Sequence, residues 1–132
     1  MTQTDIDRIE RDLDVKLPPA YRELMCASDA ARLGDAGIFD NAALVVERTK
    51  RQRAGFDGAP AWATKFVYVG DQDDDCPYAL NVDSGAVVRS DHGDLFEPPL
   101  ARYNSFSNLA AELLAALELE SRKSKWWMFW KK

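Results

Sequence analysis

Apolar residues recur through the first third of the chain at the spacing of one helical face. Ile6, Ile9 and Leu13 stand three and four positions apart, as an amphipathic helix requires. Thr4 is placed to cap that helix, and Asp5 and Asp7 suit the positive end of its dipole. Asp14-Val15-Lys16-Leu17 leads to Pro18-Pro19, whose missing amide hydrogens are tolerated where a second helix begins. Tyr21, Leu24, Met25 and Ser28 follow on one face of it. A third helix is predicted from about Ala42 to Ala54, capped by Asn41 and stopped by Gly55. Its first half is apolar (Leu44, Val45, Val46) and its second half basic.

After a loop from Gly55 to Pro60 the period changes. Lys65–Val69, Tyr78–Val82 and Ala86–Arg89 are predicted strands. Asp83-Ser84-Gly85 joins the last two as a hairpin, with Gly85 free to take a positive φ. Gly70-Asp71-Gln72-Asp73-Asp74-Asp75 reads as an exposed acidic turn between the first two. Leu95 to Tyr103 reads as irregular, because Pro98-Pro99 excludes a central strand. A closing helix starts near Ser105, and Leu109, Leu113, Leu114 and Leu117 give it a broad apolar face. The order defines an α+β domain: an antiparallel sheet backed by helices, with an N-terminal helix pair and a C-terminal helix. No repeat or linker divides it, so one domain is expected over residues 1–122, followed by an aromatic and basic tail, 123–132.

Composition narrows the classes. With 132 residues and 46% hydrophobic content, the chain can bury a core without staples. No apolar run approaches the roughly 18 residues of a membrane span, so no stable membrane association is expected. Met1-Thr2-Gln3-Thr4-Asp5 lacks the basic flank and apolar stretch of a signal peptide. A cytoplasmic location follows as the expectation, with Cys26 and Cys76 as free thiols. The net charge of −5 argues against a general nucleic-acid binder and suits a basic partner. That charge is polarised: acid collects in the first helix and around the strand ends, while the third helix and the tail are basic.

Candidate chemistry is sparse. His92 is the single histidine, and although Asp91 and Asp94 are near, no nucleophile or oxyanion donor accompanies it. A turn histidine is the simpler reading, and neither a Walker-type loop nor a dinucleotide fingerprint appears. Asp71, Asp73 and Asp75 imitate the first calcium ligands of an EF-hand, but Cys76 stands where the turn glycine belongs and Val82 where the bidentate Glu belongs. Cys76 and His92 lack two further zinc ligands near them. No enzyme activity, metal or cofactor is therefore expected. The basic run Arg48-Thr49-Lys50-Arg51-Gln52-Arg53 suits a helix C-terminus.

Two features remain. Asp71, Asp73, Asp74 and Asp75 form either a solvated turn or a patch that steers a cationic partner, joined by Asp91 and Asp94 if the strand ends cluster. In the tail, Lys123, Lys125, Lys131 and Lys132 flank Trp126, Trp127, Phe129 and Trp130. Those rings pack on their own domain, meet a second copy or a partner through residues such as Trp127 and Trp130, or attach to a membrane surface, in that order of preference.

Several short signals occur together in one order. Ile9-Glu10 precedes Leu17-Pro18-Pro19-x-Tyr21-Arg22-x-Leu24. Then come Phe66-x-x-Val69-Gly70-Asp71, Tyr78-Ala79-Leu80-Asn81-Val82-Asp83-x-Gly85-x-Val87, Ser90-Asp91-His92, and finally Ser105-Phe106-Ser107-x-Leu109. Over roughly residues 5 to 120 this resembles the SUKH superfamily, which includes a fungal cell-wall synthesis regulator and many bacterial immunity proteins. Ser28-Asp29-Ala30-Ala31 stands where the family often has a Gly-rich turn, and the aromatic tail lies outside the common core. The resemblance implies a non-enzymatic binding domain, in bacteria a cytoplasmic antidote to one cognate toxin. It carries over no functional residues, because the shared positions look structural. The expected function is thus an immunity protein that occludes a toxin's active site, with carboxylates in place of substrate phosphates. An intracellular scaffold or regulatory module is the alternative.

Overall fold

A computed structural model of the chain describes residues 1–56, 58–72 and 76–130, with side chains through Lys125. The N-terminal helix α1 spans Gln3–Leu13 and buries Ile6, Ile9 and Leu13. Its cap is Thr2, not Thr4. The Thr2 hydroxyl accepts from the Asp5 amide while the Asp5 carboxylate accepts from the Thr2 amide, a reciprocal capping box. The Thr2 amide, and after it the Thr2 hydroxyl, donate to the Asp5 carboxylate and hold it below its ordinary range. Helix α2 (Pro19–Met25) starts at the expected prolines and buries Tyr21 and Met25, with Ser28 beyond its end. A short helix α3 (Ala30–Asp35) begins in the stretch that departs from the family pattern. Helix α4 (Ala42–Arg53) is capped by Asn41, and Gly55 follows it at φ +87°.

The sheet is an antiparallel meander in the order β1–β2–β3–β4. Its strands are β1 (Phe66–Gln72), β2 (Cys76–Asn81), β3 (Val87–Arg89) and β4 (Ala101–Tyr103). Two expectations are corrected here. Gly70, Asp71 and Gln72 belong to β1 rather than to a turn, because a bulge between Tyr68 and Gly70 lets the strand continue opposite Tyr78, Pro77 and Cys76. The segment after Pro98-Pro99 also yields β4, paired with β3 through Val88↔Arg102. The prolines end before the pairing starts.

Side chains alternate across this sheet. The row Val67, Leu80, Val87, Tyr103 faces the helices. Val67, Leu80 and Val87 join Ile6, Ile9, Tyr21, Leu33, Val45, Phe106 and Leu109 in one core, each of them fully buried. The next row, Tyr68, Ala79, Val88, Arg102, faces the other way, where Tyr68 and Ala79 pack with Trp62, Phe39 and Leu95 from the loops. We call these the closed and open faces. Close backbone approach fixes the β1 edge. A Cβ on Gly70 would stand 2.6 Å from the Gly37 carbonyl, and one on Gly37 (φ +99°) 2.5 Å from the Asp71 carbonyl. Ile38 can therefore bridge to Gly70 beside β1. Helix α5 runs unbroken over Phe106–Trp130. Its first turns fill the closed face through Phe106, Leu109, Ala110 and Leu113, and Glu118 pairs with Arg32 of α3 at 4.0 Å.

Candidate functional site

The open face is built around stacked rings. Phe39 stacks on Tyr68 with centroids 5.6 Å apart, and Tyr68 on Trp62 at the same separation. Apolar rings here must still satisfy their polar tips. The indole Nε1–H of Trp62 donates to the Gly93 carbonyl at 2.7 Å, which pins the loop after β3 onto this face. The Tyr68 hydroxyl donates to the Asp71 carboxylate. Burial, then this bond to a carboxylate, raises the Tyr68 phenol far above its ordinary value. The Tyr68 amide donates to the hydroxyl of Thr49 on α4 at 2.9 Å.

Beyond the stack the face opens into a groove of about 510 Å³, within the usual range for binding clefts. Phe66, Ala79 and Val88 form its floor, and the loop from Asp94 to Pro99 forms one wall. Asp94, Glu97 and Arg102 supply charge at its rim. Asp94 shapes its own loop by accepting from the Phe96 amide at 2.9 Å. Phe96 itself is 82% exposed, an unusual position for a large apolar ring.

The candidate acids fall in two places. Asp71 is half-buried in β1 and engaged by Tyr68. Gln72 and Cys76 pair across the sheet and bracket Asp73, Asp74 and Asp75, which lie outside the described residues. Asp91 belongs to the same end of the sheet, because the preceding Ser90 amide donates to the Pro77 carbonyl at 2.9 Å. His92 stands beside it in a turn with φ +54°, its Nε2 3.3 Å from the Asp91 carboxylate. Asp94 lies further along the open face, in the groove wall. Asp71 and Asp91 thus share a strand end, and Asp94 belongs to the adjoining groove. Trp127 and Trp130 lie on α5, and their side chains are outside the described residues.

The groove and its floor at Phe66, Ala79 and Val88 are not among the sites expected from the sequence. A signal was present in Phe66-Val67-Tyr68-Val69, whose unbroken apolar run marks a strand with apolar surroundings on both faces. Two residues of the basic run on α4 serve structure. Arg51 lies 3.8 Å over the Phe56 ring, while Arg53 donates to the carbonyls of Leu13 and Thr64 at 3.1 and 2.7 Å. Cys26 and Cys76 are both free thiols.

These features define an α+β domain whose four-stranded meander is closed by helices on one side and open on the other. The chain belongs to the SMI1 / KNR4 family (SUKH-1), whose model matches residues 1–112. Comparison with curated proteins and with solved structures gives no significant match. The family generally works by binding partner proteins rather than by catalysis, and it includes immunity proteins. Among the described residues, no helix is long and apolar enough to cross a membrane.

Proposed function

We propose that this chain is a cytoplasmic immunity protein that binds a cognate toxin domain and covers its active site. Family membership supports a binding role, and one geometric observation carries the choice of surface. Asp91 lies at the sheet end bracketed by Gln72 and Cys76, and the open face beginning there leads to the groove whose rim carries Asp94 and Glu97 beside Arg102. A basic, nuclease-like toxin would be steered to those carboxylates, and its apolar contacts would then close over Phe96 and the groove floor. The carboxylates occupy the positions of substrate phosphates, and the apolar centre slows dissociation. Asp73, Asp74 and Asp75 are the first residues assigned to steering, with Asp71, Asp91 and Asp94 beside them.

Co-expression with the product of the adjacent reading frame tests this. Rescue of growth together with a stable complex is the expected result. A complex that leaves the neighbour's toxicity intact would refute neutralisation and favour the second reading, a scaffold or regulatory module like the fungal member of the superfamily. Within a complex, replacing Asp73, Asp74 and Asp75 by Asn should slow association and flatten its salt dependence. An unchanged rate and salt slope would move the docking site away from that strand end.

A further inference from the structure

The C-terminal end of α5 and the open-face groove have complementary chemistry, yet within one chain the two point apart. Every residue from Glu118 to Lys125 is exposed; Glu118 still pairs with Arg32 and Glu120 still lines a cleft with Asp35 and Asp71, so α5 leaves the body of the domain after Glu120. The helix continues to Trp130, and beyond Glu120 it forms an arm about 15 Å long at the usual rise per residue. Phe106–Trp130 contains neither Gly nor Pro, the usual causes of a sharp kink. The base of the arm packs on the closed face, and the groove opens on the opposite one. An unbroken helix anchored there leads away from its own groove.

We propose that the arm of one copy docks in the open-face groove of a second copy. The arm's sequence ends in Trp126, Trp127, Phe129 and Trp130, with Lys123, Lys125, Lys131 and Lys132 around them and no acidic residue. The groove offers an apolar floor at Phe66, Ala79 and Val88, the exposed ring of Phe96, and two carboxylates, Asp94 and Glu97, against the one guanidinium of Arg102. Aromatic rings enter the floor and lysines meet the rim. The areas agree with a stable assembly. Each aromatic ring buries roughly 150–250 Å² when packed, so four cover roughly 600–1,000 Å² per arm. Two reciprocal arms reach the roughly 1,200–2,000 Å² of a specific interface. The family match ends at residue 112, so the arm is an addition to the shared domain. Dimerisation would cover the face assigned above to a toxin, but it depends only on this chain and stands whether or not a toxin is the partner.

Sedimentation across a concentration series tests the proposal on the full-length protein. The parent chain should show a monomer–dimer equilibrium. Two variants should be monomeric at concentrations where the parent is dimeric: Trp127→Ser with Trp130→Ser, which disables the arm, and Phe96→Lys, which disables the groove. Phe96 is exposed, so unchanged circular dichroism and melting are expected for its variant. The immobilised Trp variant, whose groove is intact, should capture the Phe96→Lys chain, whose arm is intact, and should not capture another copy of itself. A parent that stays monomeric throughout would overturn the proposal. So would a Phe96→Lys chain that dimerises as well as the parent, since the arms would then pair with each other. Failure of the cross-capture would overturn it as well.

Discussion

The two faces of one four-stranded sheet have been put to different uses. On the closed face, Val67, Leu80 and Val87 are 0% exposed and packed against helices. On the open face, Ala79 is as deeply buried, but Phe66 and Val88 are only half-buried beneath a loop. Adjacent residues of the same strand therefore answer to different pressures. Leu80 is held by the need for a core, and Ala79 by the room its neighbours need above it. The larger core lies on one side, while the other combines the smaller Trp62–Tyr68–Ala79 cluster with a groove, exposed aromatic surface and charge.

Substitutions can break this contrast, and the largest effect belongs to the closed face. Leu80→Ala should cost about 2–5 kcal/mol in chemical denaturation, because the helices cannot collapse into the space left behind. Tyr68→Phe comes next, at about 1–3 kcal/mol, since it removes the donor that the half-buried Asp71 carboxylate uses. A loss as large as that of Leu80→Ala would put the Trp62–Tyr68–Ala79 cluster on a par with the main core.

The third test lies at β4, where the two faces meet. Burial, then the hydrogen bond to Glu112 and that carboxylate's charge, push the Tyr103 phenol up to about 12 from its ordinary value of 10.0. A raised folded-state value favours the neutral phenol. The stabilisation is therefore complete below pH 10.0 and is lost as the pH rises towards about 12. Glu112→Gln should bring the phenol's spectroscopic titration midpoint back towards 10.0, and an unmoved midpoint would leave burial alone as the cause. The smallest stability effect is expected for Phe96→Ala, within about 0.5 kcal/mol. The same change should weaken dimerisation or partner binding at least tenfold, consistent with an aromatic anchor. Stability loss without binding loss would reassign Phe96 to the fold.

The helices and the first three strands were legible because their apolar residues keep a clear period. Ile6, Ile9 and Leu13 needed only their spacing, and Asn41 and Gly55 marked α4 by their own chemistry. The misses have physical causes. Thr2 and Thr4 are equivalent as letters, and only the reciprocal bonds with Asp5 distinguish them. Helix α3 buries just Ala30 and Leu33, too few positions to display a period. Gly70 and Asp71 have poor strand propensity and read as a turn, yet the bulge and the approach of Gly37 and Ile38 keep them in β1. Strand β4 is three residues long and is created by β3 beside it. The groove is less legible still. It joins Phe66, Val88 and the 94–99 loop, which meet only after the meander is folded.

The seal along β1 has a consequence for how copies of this protein can associate. Gly37 and Phe39 exchange backbone hydrogen bonds with Asp71 and Val69, and Thr49 takes the Tyr68 amide, so that border offers no continuous ladder to a newcomer. The opposite border, β4, is three residues long. A sheet blocked on one side can be extended on the other only once, since its addition would bring the same blocked border with it. Pairing through the β4 edge would therefore stop at two molecules rather than propagate side by side into a fibril.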